Sequence, residues 1–182
     1  MLGLAGVPYP GAMTNVAHIR PATESDVPAI LGLVRELAAY EREPDAVVAT
    51  EEALREALFG ADPKVWALIV EHEGRDAGFV LWFLNFSTWE GKHGVYIEDL
   101  FVRAEFRGLG YGRALLVELA QLCVANGYAR LEWAVLDWNS PAHGFYRTIG
   151  AGPLDDWTAW RLDGAALATL GGTAQPATPT VT

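Results

Sequence analysis

Residues 105–115 read EFRGLGYGRAL, and this stretch decides how the rest of the chain is interpreted. Glycine occupies positions 108, 110 and 112, and an apolar run, LLVELAQLCV, follows at residues 115–124. Glycine reaches backbone conformations closed to other residues and lets a ligand approach the main chain. We therefore expect a ligand to lie against this turn.

The spacing of the glycines excludes two common phosphate-binding loops. A P-loop needs G-x-x-x-x-G-K-[ST], whereas Arg113 and Ala114 follow Gly112. A dinucleotide fingerprint needs G-x-G-x-x-G, whereas this chain has G-x-G-x-G. What remains is R-x-x-G-x-G, from Arg107 to Gly112, placed between a predicted strand and a predicted helix. Free N–H groups and the helix dipole favour an anion there, so the pattern predicts a pyrophosphate site. A purely structural tight turn would explain one or two of the glycines, but not three glycines flanked by arginines.

Periodicity and turn residues predict an α+β fold. We expect a mixed, mostly antiparallel twisted sheet with helices packed on its faces. The expected strands are residues 16–20, a hairpin over 65–86, 95–102, 129–136 and 158–162. The expected helices run from Thr23 to about Tyr40 and from Thr50 to Gly60, then over 110–126 and from Asn139 onward.

Composition limits the organisation and the partners. The chain has 182 residues and a formal net charge of -10. We expect one domain over residues 16–170, with a disordered extension at 1–15 and a disordered tail at 171–182. The negative charge disfavours nucleic acid and suits a cationic substrate. No run of about 18 apolar residues is present, so we expect no membrane partner and a cytoplasmic location. Cys123 is expected to be a core residue, and the four histidines show no metal spacing, so no metal site is predicted.

These residues resemble the GCN5-related N-acetyltransferases (GNAT), whose signature R/Q-x-x-G-x-G/A binds the pyrophosphate of acetyl-CoA. Further segments resemble the diamine (spermidine/spermine) N-acetyltransferase branch. They are IRPAT at 19–23, ELAAYE at 36–41, YIEDLFV at 96–102, DWNSPAHGFYRTIGA at 137–151 and WRL at 160–162. The resemblance implies a GNAT-type acyl-CoA N-acyltransferase fold, acetyl-CoA as co-substrate, a small cationic amine as acceptor, and a homodimer. Relatives begin near Met13, so translation is expected to start either there or at Met1.

The resemblance also implies a role for each matching residue. Backbone groups of Leu100, Phe101 and Val102 would bind the pantetheine arm. The pyrophosphate would lie against Arg107, Gly108, Leu109, Gly110, Tyr111, Gly112 and Arg113. Further cofactor contacts would come from Asn139, Ser140, Pro141 and Ala142. The amine pocket would be lined by Tyr40, Glu41, Trp89, Glu98 and Asp99, and Tyr146 would be the general acid.

The chemistry gives these acidic residues a reason to be present. An alkylammonium with a pKa near 10.4 is almost fully protonated at neutral pH, so a carboxylate must bind it and help remove a proton. Glu98 is the candidate base. In a regular strand Glu98 and Asp99 point to opposite faces, so we expect a bulge near Asp99. The Leu100 N–H would then donate to the thioester oxygen, and Tyr146 would stabilise the leaving thiolate.

The acceptor stays open at this point. Polyamine enzymes of the branch often have Tyr-Asp-Pro-Trp where this chain has Phe86-Ser87-Thr88-Trp89. The missing carboxylate favours a lysine-like amino acid, such as thialysine, or a short diamine over long polyamines. Acetylation of an antibiotic or a protein lysine remains an alternative, as does a non-catalytic acyl-CoA-binding sensor.

Overall fold

A computed structural model describes residues 17–172 of the chain. Five strands form one sheet in the order β1-β2-β3-β4-β5. They are β1 (Ala17–Pro21), β2 (Trp66–His72), β3 (Arg75–Ser87), β4 (Lys92–Val102) and β5 (Leu131–Trp133). The first four strands pair antiparallel, and β5 pairs parallel to β4. The mixed, mostly antiparallel sheet predicted from the sequence is confirmed.

Five α-helices accompany the sheet in the described residues: α1 (Val27–Tyr40), α2 (Glu51–Phe59), α3 (Tyr111–Asn126), α4 (Ser140–Thr148) and α5 (Gly164–Leu170). Several residues that were predicted to begin or end helices do so in the structure. The Thr50 side chain accepts the Ala53 N–H at the start of α2, and Gly127 adopts φ 66° after α3. Asn139 Oδ1 accepts the Ala142 N–H at the start of α4.

The sheet is buried on both faces. On one face, α1 and α2 pack against Ile69, Phe79, Leu81 and Phe101. Because successive strand residues point to opposite faces, Leu68, Val70 and Val80 face the other way, and they are fully buried as well. The α3 helix, with Leu115 and Leu119 fully buried, packs against that second face.

Two of the predicted strands differ from the structure. Residues 158–162 form neither helix nor strand, so the expected last strand is wrong. Extended backbone becomes a strand only when a neighbouring strand satisfies its N–H and C=O groups, and none of the described strands pairs with this segment. The strand expected over 129–136 is shortened to Leu131–Trp133, the residues that pair with β4.

The described residues form two compact units, one ending at Leu136 and one beginning at Asp137. The first unit holds the whole sheet and α1 to α3. The second holds α4 and α5. The extension expected at 1–15 lies outside the described residues, as does the expected tail apart from Gly171 and Gly172. No helix in the described residues has the length and hydropathy needed to cross a membrane.

Candidate active site

The candidate active site of the first unit lies at an irregularity in β4. Trp82 of β3 lies opposite Ile97, but its neighbour Leu81 lies opposite Asp99. Glu98 is therefore the extra residue of a β-bulge, and the bulge predicted near Asp99 is confirmed. The bulge places Asp99 opposite Leu81, on the face of the sheet that α1 and α2 cover.

Three carboxylates meet around this bulge. Burial raises the pKa of Asp99 to about 6, and the negative charges of Glu98 and Glu41 add to the effect. Burial also raises the pKa of Glu41, the residue that follows α1. The structure thus brings together Glu41, Glu98 and Asp99, for which the family resemblance implies one amine pocket. A cation placed between them would relieve their mutual repulsion.

Beside the bulge, β4 has an open edge. The strand β5 pairs only with Val95 to Ile97, so within the described strands nothing pairs with residues 98–102 on that side. Hydrogen bonds of an antiparallel ladder alternate between successive residue pairs. Because the Arg103 N–H donates to the Ala77 C=O at 2.9 Å, the backbone polar groups of Leu100 and Val102 point away from β3. They therefore project from the open edge, where the family resemblance implies the pantetheine arm and where the Leu100 N–H was predicted to be the oxyanion donor.

The glycine turn follows this edge directly. Gly108 and Gly110 adopt φ 80° and 85°, and a Cβ built on either residue would meet no atom within 4 Å. The surface beside the turn is therefore open. The first hydrogen bond of α3 runs from the Ala114 N–H to the Gly110 C=O at 2.9 Å, so the N–H groups of residues 111–113 precede it and have no intrahelical acceptor. This arrangement fits the pyrophosphate of acetyl-CoA.

The arginines near the turn do not act as one positive patch. Arg103 makes a two-pronged ion pair with Glu36 and donates to the Asp76 C=O at 2.6 Å. Arg107 Nε donates to the Val102 C=O, and its guanidinium lies over the Tyr40 ring. Arg113 is exposed on the first turn of α3. Of the three, Arg103 alone has an ion pair among the described residues.

Trp89 lies away from the carboxylates within one chain. It occupies the turn between β3 and β4 and is 87% exposed. Asp99 lies seven positions after Lys92, the first residue of β4, which is about 20 Å along a strand. The loop serine, Ser87, is buried, and its Oγ accepts the Glu90 N–H at 3.2 Å. Ser87 is therefore a structural residue of the turn.

The remaining predicted residues belong to the second unit. Asn139 caps α4, and Ser140, Pro141 and Ala142 form its first turn. Tyr146 lies on the same helix, with its ring 5.3 Å from that of Phe145. Their roles toward acetyl-CoA stay predictions. No group of three or more His, Cys, Asp or Glu residues in the described chain has the arrangement of a metal site.

Sequence reasoning missed two contacts of the turn, one between Arg107 and Tyr40 and one between His72 and Tyr111. Both join residues far apart in the chain, and neither leaves a local pattern in the sequence. The only signal was indirect, because Tyr40 and Arg107 each lie in a segment that matched the family.

Comparison with known proteins gives a consistent result. The family model for the acetyltransferase (GNAT) family matches residues 31–151. The thialysine N-epsilon-acetyltransferase of Bos taurus is 37% identical, and the match covers 85% of this chain and 96% of that protein. The L-ornithine N5-acetyltransferase NATA1 of Arabidopsis thaliana is 34% identical, with 83% and 86% covered. An integron cassette protein of V. cholerae has a solved structure that superposes with a TM-score of 0.73 at 25% identity, covering 87% of this chain and 99% of that one.

Proposed function

This chain belongs to the acetyltransferase (GNAT) family, and we propose that it acetylates the side-chain amine of a small lysine- or ornithine-like amino acid or a short diamine. It is an N-acetyltransferase for small amine acceptors, as its relatives are. The identity of the acceptor is the proposal. The observation that carries it is the cluster of Glu41, Glu98 and Asp99 at the bulge, which suits a compact cation.

The donor side of the site supports acetyl-CoA as co-substrate. The pyrophosphate would accept from the free N–H groups at the start of α3, and the pantetheine arm would lie along the open edge of β4. Arg113, exposed on the first turn of α3, would pair with a phosphate oxygen. The thioester would then lie near the Leu100 N–H, which could donate to the carbonyl oxygen as negative charge develops there.

The reaction needs one proton removed and one supplied. A carboxylate of the cluster takes a proton from the ammonium, and the neutral nitrogen attacks the thioester carbonyl. The new C–N bond forms, the C–S bond breaks, and the thiolate leaves with a hydrogen bond or proton from Tyr146. Glu98 remains the proposed base. Asp99 is a second candidate, because a pKa of about 6 lies close to neutral pH, where a general base works best.

Lysine-like acceptors are favoured over long polyamines by the loop between β3 and β4. Ser87 is buried and its hydroxyl accepts a hydrogen bond from the loop itself, so this residue offers no negative charge to a distant second ammonium. The names of the thialysine and ornithine relatives point to the same class of acceptor.

The homodimer is part of the proposal and would resolve the position of Trp89. Since β4 extends about 20 Å from its end beside the Trp89 turn to Asp99, Trp89 could line the amine pocket only if a second copy supplied it. The exposed Trp160, in the segment expected to be a strand, is also consistent with a surface that another chain covers. A cytoplasmic location and the absence of nucleic-acid and membrane partners stay proposals from the sequence.

The test is release of the CoA thiol from acetyl-CoA in the presence of thialysine, ornithine, putrescine, spermidine, an aminoglycoside or a lysine-containing peptide. We expect the highest kcat/KM with thialysine or ornithine. Preference for the aminoglycoside or the peptide would replace this acceptor with an antibiotic or a protein lysine. Tight acetyl-CoA binding without turnover of any amine would indicate a sensor.

A further inference from the structure

His72, the last residue of β2, contacts the proposed cofactor turn through a hydrogen bond. Its Nδ1 and the Oη of Tyr111 lie 2.5 Å apart. Tyr111 is the first residue of α3 and is only 6% exposed. The bond therefore joins the end of an inner strand of the sheet to the start of the helix whose N–H groups form the proposed pyrophosphate site.

The same histidine also contacts the residues that precede the turn. Its ring centroid lies 5.1 Å from that of Phe106 and 5.8 Å from that of Tyr111. On the same hairpin, the Arg75 guanidinium lies 4.8 Å from the Phe106 ring centroid and pairs with Glu105 at 3.0 Å. His72 thus touches both sides of the glycine turn.

The hairpin that carries His72 is well defined. Glu73 and Gly74 form its two-residue turn, and both adopt positive φ, 51° and 75°. This geometry matches the twist of the flanking strands. His72 lies opposite Arg75 in the ladder and opposite Ala17 of β1, so its backbone is held on both sides.

The glycines within the turn contribute no side-chain contacts of their own. Gly108 and Gly110 have no side chains, and the space around them is open. Ordering a flexible residue costs about 1–2 kcal/mol, a cost that binding must overcome unless the turn is ordered beforehand. A hydrogen bond to the buried tyrosine at the end of the turn orders the turn before the ligand binds.

We propose that His72 is a positioning residue for acetyl-CoA, holding the start of α3 in its binding conformation through Tyr111. This inference rests on the proposed function, because it assumes that the turn binds the pyrophosphate. In this role His72 does not need to contact acetyl-CoA or the amine. It therefore predicts an effect on donor affinity and not on the chemical step.

The test compares the wild type with His72→Ala, His72→Asn and His72→Gln. Affinity for CoA is measured by titration calorimetry, and kcat and both KM values are measured with the best amine. An unsatisfied buried hydroxyl costs about 1–3 kcal/mol, so His72→Ala should weaken CoA about tenfold. The kcat and the amine KM should stay within about twofold.

The two amide variants keep the test specific if the alanine variant unfolds. An Asn side chain places a polar atom close to the position of Nδ1, whereas Gln places it one bond further on. His72→Asn should recover CoA affinity to within about threefold of the wild type, and His72→Gln should not. Equal affinities for these two variants would overturn the proposal, as would a fall in kcat at unchanged CoA affinity.

A double variant provides the matched control. Tyr111→Phe removes the hydroxyl that His72→Ala leaves unsatisfied, so the double variant should bind CoA more tightly than His72→Ala alone. Additive losses would argue against action through Tyr111. A wild type that binds no CoA would overturn the proposed function, and this inference with it. If the wild type binds CoA and His72→Ala binds it equally tightly, the inference about His72 is overturned and the proposed function is not affected.

Discussion

The guanidinium carbon of Arg107 lies 4.5 Å from the ring centroid of Tyr40. Its Nε donates to the Val102 C=O at 2.9 Å, so the side chain turns back from the glycine turn toward the end of α1. The arginine of the proposed cofactor signature therefore supports the side of the site where Tyr40 and Glu41 lie.

This contact yields a prediction about Arg107→Gln. The backbone of the turn is kept in this variant, but the cation–aromatic contact with Tyr40 is lost. Such contacts contribute about 0.5–1 kcal/mol, so the amine KM should rise about two- to fivefold. The acetyl-CoA KM should change less. Arg113→Gln is the comparison, because Arg113 has no such aromatic contact among residues 17–172 and should affect the acetyl-CoA KM instead. Steady-state kinetics with each substrate varied in turn would give both KM values for both variants. A higher acetyl-CoA KM for Arg107→Gln and a higher amine KM for Arg113→Gln would contradict the prediction.

The pKa of Asp99 predicts how activity depends on pH. Asp99 binds a cation or accepts a proton only when ionised, so kcat/KM for the amine should rise as pH increases through about 6. Asp99→Asn should remove this step and lower kcat/KM by about 10²-fold or more. The profile is measured between pH 5 and 8.

Glu98→Gln is the matched variant for this experiment. If Glu98 is the base, its replacement should lower kcat more than replacement of Asp99 does. A larger fall in kcat for Asp99→Asn, with Glu98→Gln affecting mainly the amine KM, would assign the proton transfer to Asp99.

The same carboxylate should destabilise the folded chain at neutral pH. Its pKa is raised from 3.8 to about 6 in the folded state, so folding is favoured while the group is protonated. This contribution is present below pH 4 and is lost as pH rises through about 6. Asp99→Asn should therefore raise the stability at pH 7.5 by about 1–3 kcal/mol, with a smaller gain at pH 4.5. Urea unfolding at the two pH values checks this, and an equal gain at both would contradict it.

Asp26 should have the opposite effect on stability, because its ionised form stabilises the folded chain. It accepts two hydrogen bonds from Arg20, at 2.6 and 2.9 Å, and one from the Thr23 N–H at 2.7 Å. These bonds, that from Arg20 foremost, hold the pKa of Asp26 well below its usual range. Its stabilising effect is complete above its ordinary pKa near 4 and is lost as pH falls toward the lower folded value.

Asp26→Asn should thus lower the unfolding free energy by about 2–3 kcal/mol at pH 7 and by less at pH 3. Asp62→Asn is the control. It breaks an ion pair with Lys64 whose partners are 75% and 80% exposed, and it should change stability by less than about 0.5 kcal/mol. Thermal and urea unfolding would measure both variants.

A mixing experiment tests whether Trp89 acts in a second copy. Trp89→Ala and Asp99→Asn each lack one part of the proposed pocket. If the pocket is shared between two chains, each mixed dimer regains one intact site, so random mixing should restore about a quarter of wild-type activity. Recovery is measured after the two variants are unfolded and refolded together. No recovery, with mixed dimers shown to form, would place Trp89 outside the pocket of the partner copy.

Local signals predicted much of the fold. Thr50, Gly127 and Asn139 each act through neighbours within four residues, and their capping roles were predicted from those neighbours alone. The bulge was also predictable, because two adjacent acids in one strand can serve a single pocket only if alternation is interrupted. The segment 158–162 shows the limit of this reasoning. Its composition suits a strand, but a strand needs a partner that local composition does not specify.

In the candidate site, too, local features could be predicted from the sequence and contacts between distant residues could not. Glu41, Glu98 and Asp99 were predicted to share one pocket, and the structure shows that the charges of Glu98 and Glu41 act on Asp99. The supporting contacts could not be predicted, because 39 residues separate His72 from Tyr111. Such pairs depend on strand register and helix placement, which emerge only when the chain has folded.

The bulge at Glu98 has a consequence for how this site can vary. The ladder is regular on both sides of it, with Ile97 opposite Trp82 and Asp99 opposite Leu81, and Glu98 itself is exposed. A side chain at this position is not constrained by a cross-strand neighbour. Its charge and length can therefore change while the sheet, the buried carboxylate and the donor edge stay as they are. A replacement of the proposed base at position 98 would therefore change the chemistry of the pocket at a small structural cost.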